Sequence, residues 1–455
     1  MGREEPKRKP CALVVVSTWR PALLADMQRV RLLAPALAEV GWEAEVLYPD
    51  GSFQPAYALE PGAAKFFPKS TEHSVGPWME GIFRAVGSGS IGIRAGVPVA
   101  RMGLELLRSR KYDVVYFSTT QHLLTCAGPW WRTKTGVPYV ADVHDPVFIP
   151  KPKYQTSRGG LKARLARQVG RWIEKRALAQ ADGIVSVSQG YVDDLLKRHP
   201  DSRWAKSDIA YGISDIGGGG VAGNSPSSIP HLPYPTSTRV LVQPFPADER
   251  GLEMVEAERR ETGKKRIVYV GAGGTIMEKG WREFLAQLKK EPLAKEVRIE
   301  IYGTNTAWKH GDRPYLQGIA EEMGLMGLVI EEPKRVSYEK SLALVKGADG
   351  LLVLGVDDPN YQPSKLHTYL ATGLPIMVLC HERSDLTRQL KEGGGVKILS
   401  FGGPNEGQVE VGMREYLQSI KDRKRWLDRS RLTAREAAIE HSKLFEMVVK
   451  SVKGS

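Results

Sequence analysis

The sequence predicts an α/β protein with two doubly wound domains that face a cleft, and with C-terminal helices that cross between the domains. Short apolar, β-branched segments alternate with helical segments, which is typical of parallel sheets covered by helices. These segments fall into two sets, and an irregular stretch separates them. The length of 455 residues is also sufficient for two or three domains that each have their own core.

The predicted strands lie in both halves of the chain. In the first half they are residues 12–17, 44–48, 114–118, 139–143 and 184–187. In the second half they are residues 266–270, 297–302, 328–331, 351–354 and 376–379. We expect ligands at the carboxyl ends of these strands, as in other open α/β sheets.

The domain boundaries follow from composition. A run of four glycines that begins at Gly217, together with four prolines between 226 and 235, rules out a regular element there. We expect an N-terminal domain at 1–205, a linker or insertion at 206–263, a C-terminal domain at 264–409 and helices at 410–455. The helices are predicted because Met413, Tyr416, Leu417, Ile420 and Leu427 recur near helical spacing.

Composition is that of an ordinary globular protein, with 42% apolar and 26% charged residues. The longest apolar runs are far shorter than the roughly 20 residues that span a bilayer, and no secretory segment follows the basic N-terminus. We therefore expect a cytoplasmic protein, peripheral to the inner membrane face at most. Cys11, Cys126 and Cys380 are odd in number and far apart, which favours reduced core thiols over disulfides or a metal site.

The net charge of +13 is unevenly distributed. Residues 1–205 carry 29 Lys and Arg against 19 Asp and Glu, a net of +10, which leaves +3 for residues 206–455. A basic first half indicates an anionic partner such as a phospholipid surface, a phosphorylated acceptor or nucleic acid. No nucleic-acid-binding module or interleaving of aromatic and basic residues is recognisable, so we expect no nucleic acid partner.

Residues 360–375 predict a phosphate-binding helix start. Pro363 suits the first helical turn, where a missing N–H costs nothing. The amides that would then point out of the helix are those of Ser364, Lys365 and Leu366. An anion is stabilised at such a position, and Lys365 adds a positive charge. Gly373 is expected to cap the helix in the left-handed conformation before a buried strand. The alternative is an ordinary helix–strand junction.

A glycine-rich loop follows the predicted strand at 266–270. It contains Gly271, Gly273 and Gly274 and leads to Lys279 at the start of a helix. Backbone amides and the Lys279 ammonium would be placed to hold a diphosphate. A dinucleotide-binding fingerprint is excluded because Ile276 stands where a glycine is required, and the P-loop motif is not present either. A purely structural strand–helix turn stays the alternative.

These motifs resemble those of the GT-B glycosyltransferases, specifically glycosyltransferase family 4 and its close relatives. The resemblance spans nearly the whole chain. The matching segments are 14–21, 27–40 and 41–46 at the N-terminus, Ala181 to Ser188, the glycine loop from Val270 to Gly280, and Pro363 to Pro375. The resemblance implies two Rossmann-like domains, of which the first is on the acceptor side and the second binds a nucleotide-sugar donor. It also implies donor contacts from Gly271, Gly273, Gly274, Lys279, Asn360, Tyr361, Ser364, Lys365, Leu366 and Thr368.

The sequence departs from the family pattern at three donor positions. Ala272 stands where many members have an arginine just after the glycine of the loop. The paired glutamates of the family, one of which usually holds the ribose, fall on Asn360 and Thr368. Both residues still hydrogen-bond hydroxyl groups, but neutral partners bind more weakly than carboxylates.

The resemblance implies that His144, which follows a strand of the first domain, contacts the donor sugar at the reaction centre. Asp145 would orient its imidazole or touch a sugar hydroxyl. A general base is the alternative role for Asp145 if the reaction inverts the anomeric carbon. An ordinary loop hydrogen bond between the two residues is the structural alternative.

A candidate acceptor pocket follows the first strand. Its expected residues are Trp19, Arg20, Asp26 and Arg29. Tryptophan stacks on sugar rings, and arginine pairs with acidic groups. The alternative is a solvated helix start that is capped by Asp26.

Residues 151–178 combine an apolar stripe with nine cations and a single anion, Glu174. The stripe consists of Leu161, Leu165, Val169, Trp172 and Ile173. This pattern is similar to an interfacial helix that is attracted to anionic lipid. The alternative is a core-packed amphipathic helix with a solvated face.

The main interpretation is a glycosyltransferase that moves a sugar from a nucleotide-sugar to a glycan or lipid-linked acceptor. Such an enzyme would act in glycan or glycolipid synthesis, for example in polysaccharide biosynthesis. The resemblance implies a retaining reaction, with the nucleotide sugar as substrate and with neither cofactor nor metal, and no Asp-x-Asp motif is present. Two alternatives stay open. They are a non-catalytic relative that binds a sugar or nucleotide, and a sugar-nucleotide epimerase of the same fold.

Overall fold

The computed structural model describes residues 8–54, 59–76, 90–109, 112–148, 161–205, 239–259, 263–304, 314–393, 395–402, 412–426 and 431–453. These residues form two parallel β-sheets that are flanked by helices. The glycine- and proline-rich stretch at 206–238 and the cations at 151–160 lie outside the described residues.

The first sheet has seven parallel strands within the described residues, in the order β3-β2-β1-β4-β5-β6-β7. The strands are β1 (Cys11–Val15), β2 (Glu43–Pro49), β3 (Thr71–Val75), β4 (Val114–Ser118), β5 (Tyr139–Val143), β6 (Gly183–Ser186) and β7 (Val240–Val242). The helices are α1 (Gln28–Glu39), α2 (Ile91–Ser109), α3 (Ala127–Thr135), α4 (Leu161–Ile173) and α5 (Gln189–Arg198). A π-helical turn at Glu174–Leu178 continues α4. The strand order reverses between β1 and β4, which is where such sheets bind ligands.

The second sheet has six parallel strands within the described residues, in the order β10-β9-β8-β11-β12-β13. The strands are β8 (Lys265–Val270), β9 (Val297–Tyr302), β10 (Val329–Glu332), β11 (Gly350–Val353), β12 (Ile376–His381) and β13 (Lys397–Phe401). The helices that precede, flank or follow this sheet are α6 (Glu249–Glu253), α7 (Glu278–Leu288), α8 (Tyr315–Glu322), α9 (Tyr338–Lys346), α10 (Leu366–Ala371), α11 (Asp385–Gly393), α12 (Met413–Lys421) and α13 (Ala434–Lys453). Its order reverses between β8 and β11.

All ten strands that the sequence predicts are present, within two residues of the expected bounds. Three further strands, β3, β7 and β13, were not predicted. The β3 strand lies at a sheet edge and is largely polar and partly exposed, so it has no apolar run. The β7 strand is only three residues long and lies at the other edge. Apolar runs therefore identify the buried central strands but only one of the four edge strands, β10.

The two C-terminal helices pack on different domains. Met413, Tyr416, Leu417 and Ile420 of α12 are buried under the second sheet, as their spacing predicts. The Tyr416 hydroxyl donates to the Leu351 carbonyl at 2.8 Å. The chain then crosses to the first domain, where Phe445 of α13 packs edge-on against Trp42. The predicted crossing of the C-terminal helices is confirmed. Leu427 lies outside the described residues.

Within the described ranges, every helix is too short or too polar to traverse a lipid bilayer.

The three cysteines are free. Cys11 and Cys380 are buried and Cys126 is half-buried, which agrees with the expectation of reduced thiols rather than disulfides. Burial raises the pKa of the Cys126 thiol to about 11 and that of Cys380 to about 11. These thiols are therefore protonated near neutral pH.

A buried polar cluster joins the two domains beside the crossing segment. Arg31 of α1 donates to Asp248 Oδ2 at 2.6 Å and to the Tyr338 hydroxyl at 2.7 Å. The Tyr338 hydroxyl donates to the same carboxylate oxygen at 2.5 Å. The side chains of Arg31 and Asp248 are each only 2% exposed. The stability of the fold depends on both members of such a buried ion pair, because removing one member leaves the charge of the other without compensation.

A second interdomain contact lies at the start of α9. Glu60 of the first domain accepts from the Tyr338 backbone amide at 2.7 Å and from Arg335 at 3.0 Å. Arg335 also donates to the Leu23 carbonyl. The first domain therefore contacts the loop that follows β10, close to the carboxyl edge of the second sheet.

Candidate active site

The candidate site lies where the carboxyl ends of strands from the two sheets meet. On the first sheet, β5 ends at Val143 and is followed directly by His144 and Asp145. On the second sheet, β8 ends at Val270 and leads into the glycine loop. The β8 strand stands beside the point where the strand order of the second sheet reverses, and β5 is one strand removed from that point in the first sheet. The topology therefore brings together two of the segments that the sequence singled out.

His144 is held by Asp142, a residue inside β5 that the sequence did not single out. His144 Nε2 lies 2.6 Å from Asp142 Oδ2. Arg29 of α1 forms an ion pair with the same oxygen, with Nε at 2.9 Å, although its N–H is not aligned for a hydrogen bond. The Arg29 guanidinium donates instead to two backbone carbonyls, those of Gln243 and Pro244. Arg29 thereby ties the site to the segment after β7.

The protonation of Asp142 fixes the state of the histidine. Burial alone would raise the pKa of Asp142, but the charges of Arg29 and His144 and the bonds from His144 and Tyr116 hold it well below its ordinary value. An ionised carboxylate only accepts hydrogen bonds, so Nε2 of His144 carries the proton. His144 Nδ1 is buried and has no partner among the described residues. In the neutral imidazole this nitrogen is an acceptor, which suits a hydroxyl group of a ligand.

The expectation that Asp145 orients the His144 imidazole is wrong. The orienting carboxylate is Asp142, because β5 turns its side chain towards Arg29 and the imidazole. Ser118 at the end of β4 donates to Asp142 at 2.9 Å and lies 3.2 Å from His144 Nε2. The orienting group therefore comes from two residues before the histidine and not from the residue after it.

The network reaches the C-terminal helix. The Tyr116 hydroxyl lies 2.7 Å from Asp142 Oδ2 and 3.2 Å from His441 Nε2. His441 Nδ1 donates to the Ala437 carbonyl at 2.8 Å, and burial lowers its pKa to about 4, so the ring is neutral at pH 7. Its Nε2 is then an acceptor. The Tyr116 hydroxyl donates its proton to Asp142 and also contacts His441, which links α13 to the candidate site.

Asp145 lies in the cleft, near side chains of the second domain. It is exposed to solvent, but the surrounding protein atoms desolvate its carboxylate and raise its pKa, against the opposing charge of His144. Burial, followed by the negative charge of Asp145, raises the pKa of Tyr361 to about 12. Asp145 of the first domain and Tyr361 of the donor segment therefore face each other closely enough to interact.

The glycine loop differs from the expected amide cradle. The amide of Gly271 donates to the Tyr302 carbonyl at 2.8 Å, and that of Gly273 donates to the Thr304 carbonyl at 3.2 Å. These two amides extend the contact between β8 and β9 and are not available to a phosphate. The expectation that they hold a diphosphate is therefore wrong. Gly274 has a φ of 109°, a conformation that favours glycine.

Lys365 is the cation that the structure brings to the glycine loop. Its ammonium donates to the Val270 carbonyl and lies 5.0 Å from the centre of the Tyr269 ring. A β-carbon at Gly271, whose φ is 149°, would overlap Lys365 Nζ. Burial, followed by the positive charge of Arg335, lowers the pKa of Lys365 to about 7. The structure therefore places the Lys365 side chain directly on the glycine loop, a contact that the sequence did not predict.

The helix start around Lys365 is shorter than expected. The α10 helix begins at Leu366 and has six residues, and the Leu366 amide donates to the Pro363 carbonyl at 3.2 Å. The expectation of a free Leu366 amide is therefore wrong, while Ser364 lies half-buried in the preceding turn. Gly373 has a φ of 65° and confirms the predicted left-handed end. Lys279 lies half-buried in the first turn of α7, and its contact with a diphosphate stays a prediction.

At the two positions where the family has glutamates, the side chains make contacts outside the glycine loop. Thr368 is buried, and its hydroxyl accepts from the Asp248 backbone amide at 3.0 Å. Asn360 packs against Gly190 at the start of α5, so closely that a β-carbon there would overlap its amide group. Thr368 therefore holds the segment between β7 and α6, and Asn360 contacts the first domain. The expected donor role of Thr368 does not fit this geometry.

The expected acceptor residues are dispersed. Trp19 is 1% exposed and packs edge-on against Phe67, so its ring presents no stacking surface. Asp26 is buried and accepts from the Ser17 hydroxyl at 2.5 Å. Arg20 is exposed but pairs with Glu72 at 2.6 Å. The expectation that Trp19, Asp26 and Arg29 line an acceptor pocket is wrong for this structure, because their side chains are enclosed.

Sequence reasoning missed Asp142, Arg335 and two tyrosines that contact the glycine loop or the end of β8, Tyr269 of β8 and Tyr369 of α10. The Tyr269 hydroxyl donates to the Ala272 carbonyl at 2.5 Å, and that of Tyr369 accepts from the Val270 amide at 3.1 Å. Asp142 left a usable signal, because a carboxylate inside an apolar strand requires a buried partner. No group of three or more His, Cys, Asp or Glu side chains in the described residues is arranged to hold a metal ion.

Residues 27–204 match the family model of the glycosyl transferase 4-like domain. No curated protein sequence matches the chain. The match lies within the first half of the chain and covers less than half of its residues.

Solved structures resemble the whole chain at low sequence identity. The complex of Anabaena HepE with UDP-glucose is 12% identical over 98% of this chain and 100% of that chain, with a TM-score of 0.53. The N-terminal domain of Candida albicans trehalose-6-phosphate phosphatase is 15% identical over 98% of each chain, with a TM-score of 0.55. At such identity the similarity concerns the fold alone. The fold is GT-B, as the sequence predicts.

Proposed function

We propose that the protein is a glycosyltransferase that moves a sugar from a nucleoside-diphosphate sugar to a glycan or lipid-linked hydroxyl acceptor, with retention of configuration. The observation that carries this proposal is the pairing of two groups across one cleft. The Lys365 ammonium sits on the glycine loop of the second domain, and the Asp142–His144 pair stands at the carboxyl end of β5 in the first domain. Tyr361 of the second domain and Asp145 of the first domain are close enough to interact electrostatically.

The donor side supplies charge for a leaving diphosphate. Lys365 is partly neutral in the empty site because its pKa is about 7. An anion beside it would favour the ammonium form and be stabilised by it, more strongly than in water because the position is desolvated. Arg335 adds a second cation to the same region, and Lys279 is our predicted third. In this proposal lysine and arginine supply the charge, and no cofactor takes part.

The first domain positions the sugar. His144 Nδ1 would accept a hydrogen bond from a hydroxyl of the donor sugar, since Asp142 keeps the proton on Nε2. In the transfer, the bond between the anomeric carbon and the diphosphate oxygen breaks, and the acceptor oxygen bonds to the same face of that carbon. The acceptor proton passes to the departing diphosphate. Asp145, exposed in the cleft with a raised pKa, is placed to bind sugar or acceptor hydroxyls.

One observation favours a second candidate, a GT-B protein that binds a sugar nucleotide without transferring it. Neither family glutamate is present, and Thr368 and Asn360 are used to contact Asp248 and Gly190. A ribose would therefore lack its usual carboxylate partner. Loss of one charge-assisted hydrogen bond costs about 1.5–3 kcal/mol, which weakens donor binding without abolishing it.

The test has two steps. A thermal-shift screen of nucleoside diphosphates and their sugars first identifies the donor, because a ligand at about 100 times its Kd stabilises by about 2.7 kcal/mol. The selected donor is then incubated with the protein, and released sugar and nucleoside diphosphate are measured. Slow hydrolysis supports the transferase, binding without turnover supports the second candidate, and a sugar that changes configuration while still attached to the nucleotide would identify an epimerase. If no nucleotide shifts the melting temperature, the donor site is refuted.

A further inference from the structure

The outward side of α4 carries an exposed apolar stripe. Leu165, Val169 and Trp172 recur at positions i, i+4 and i+7 and therefore lie on one side of the helix. Their exposed fractions are 64%, 37% and 51%. The alternative of a core-packed apolar face is thus wrong for these three side chains. Their presence on the surface needs an explanation, because contiguous exposed apolar groups mark interaction sites.

An adjacent side of α4, which includes Ile173 of the predicted stripe, packs on the first domain. A β-carbon at Gly170 would lie 2.6 Å from the Val147 carbonyl oxygen, and Ile173 is buried. Glu174, which follows the helix, is buried and accepts from Arg198 at 2.8 and 2.9 Å. The helix is therefore held in one orientation, and this orientation leaves the apolar stripe uncovered in the described structure.

Cations lie next to the stripe. Arg164, Arg167 and Arg171 line a cavity of about 120 Å³ together with Phe148 and Gln168. The Arg171 guanidinium lies 4.6 Å from the centre of the Phe148 ring, which holds it beside the cavity. Three guanidinium groups around one small cavity suit a phosphate group. Lys175 and Arg176 are exposed just beyond the helix and add further positive charge.

We propose that this α4 surface, formed by Leu165, Val169 and Trp172 with Arg164, Arg167 and Arg171, binds a bilayer that contains anionic phospholipids. The apolar stripe would enter the boundary between headgroups and acyl chains, and the arginines would bind lipid phosphates. Nucleic acid would match the cations but leave the stripe in water, so the structure favours a membrane. The net charge of +10 in the first half of the chain agrees with an anionic partner.

The position of the α4 surface gives membrane binding a consequence. Gly170 packs on Val147 and Phe148, which are three and four residues beyond His144. A bilayer bound to α4 would therefore lie close to the candidate site and could present a lipid-linked acceptor there. Membrane binding itself does not depend on the proposed transfer reaction, and it is measured without any nucleotide sugar.

The test is flotation of the full chain with vesicles of phosphatidylcholine alone or mixed with phosphatidylglycerol. We expect binding to the mixed vesicles only. The variant Arg164→Gln/Arg167→Gln/Arg171→Gln should lower the partition coefficient about 100-fold, since each cation near the surface contributes about 1 kcal/mol. Leu165→Ser/Trp172→Ser should also lose binding, even at low salt where the charge attraction is strongest. All five side chains are at least partly exposed, so circular dichroism and melting temperature should be unchanged.

Two controls lie far from α4. Met326→Ser removes an apolar side chain that is 81% exposed in the second domain, and Lys443→Gln/Lys450→Gln removes two exposed cations from α13. Both should bind vesicles like the unaltered chain. Brominated lipid should quench the fluorescence of the unaltered chain more than that of Trp172→Phe. Three results would overturn the proposal. The first is equal binding to neutral and anionic vesicles, and the second is a loss of binding in the control variants as large as in the α4 variants. The third is binding of a DNA duplex that the α4 substitutions weaken to the same extent as vesicle binding.

Discussion

His144 Nε2 and Asp142 Oδ2 lie 2.6 Å apart, and this contact decides which imidazole nitrogen faces a ligand as an acceptor. The ionised carboxylate accepts a hydrogen bond from Nε2, which therefore carries the imidazole proton, and Nδ1 is left as the acceptor. Arg29 and Tyr116 bind the same oxygen, so the carboxylate stays ionised although it is buried. The candidate site is therefore a three-residue arrangement of arginine, aspartate and histidine rather than a His144–Asp145 pair.

Asp142→Asn should lower the rate of donor turnover by about 100-fold, the lower end of what removing one preorganised hydrogen-bonding group from an active site costs. An amide both donates and accepts, so it no longer fixes the proton on Nε2. The Michaelis constant for the donor should change much less than kcat. Asp145→Asn is the matched control and should keep the tautomer of His144, which nitrogen-15 chemical shifts of the imidazole would report. An unchanged tautomer in Asp142→Asn would contradict this role.

Binding of a nucleoside diphosphate should take up a proton near neutral pH. Lys365 in the empty site has a pKa of about 7, and a neighbouring diphosphate raises it. Affinity should therefore fall as pH rises through 7, because the unbound lysine must first gain its proton. Calorimetry in buffers of different ionisation enthalpy measures this uptake. Lys365→Met should abolish it, whereas Lys279→Met should weaken binding and keep it. Proton uptake that persists in Lys365→Met would assign it to another group.

Gly271→Ala should displace the Lys365 ammonium. A β-carbon at this position overlaps Nζ, and the φ of 149° is unfavourable for alanine. We expect at least a tenfold loss of diphosphate affinity in a protein that still folds. Gly318→Ala in α8 is the control, because a β-carbon there meets nothing within 4 Å. That change should stabilise the fold by about 0.5–1 kcal/mol and leave binding intact. Equal affinity in both variants would refute the contact.

The buried cluster of Arg31, Asp248 and Tyr338 should be decisive for stability. Arg31→Met leaves the Asp248 carboxylate without its cation, at a cost of about 3–5 kcal/mol. Tyr338→Phe removes one hydroxyl bond and should cost about 1–2 kcal/mol. Lys65→Gln is the control at the same interface, because the Lys65–Glu339 pair is largely exposed and contributes at most about 1 kcal/mol. Urea unfolding compares the three, and a larger loss in Lys65→Gln than in Arg31→Met would reverse our assignment.

Stability should fall as the solution is acidified from pH 7 to pH 4. Burial lowers the pKa of three histidines, His122, His367 and His441, to about 4 each, with the charge of His144 also acting on His122. Their ordinary pKa in the unfolded chain is about 6.5. Between these values the unfolded state binds more protons, so the free energy of unfolding decreases with falling pH.

His441→Gln removes one of these three protons and should flatten the dependence of stability on pH by about a third between pH 4 and 6.5. The measurement is the midpoint of urea unfolding across this range. An identical slope in the variant and the unaltered chain would show that His441 is protonated equally in both states.

The sequence by itself determined the two sheets, the crossing C-terminal helices and the segments that meet at the cleft. Central parallel strands are buried on both faces, so their apolar runs are visible without a structure. The left-handed conformation of Gly373 was also predictable from its residue type. Such features depend on local backbone preferences and on which elements follow one another.

Only the tertiary structure decided which polar groups are partners. Asp142, rather than Asp145, holds His144. Arg29 and Tyr116, which come from α1 and β4, contact the Asp142 carboxylate and keep it ionised. The Gly271 and Gly273 amides donate to carbonyls at the end of β9 and just beyond it, and the Thr368 hydroxyl accepts from the Asp248 amide. The stripe on α4 faces outward for the same reason, since helical spacing shows that a face is apolar but not what covers it. Hydrogen-bond partners and burial depend on long-range packing, which no local pattern records.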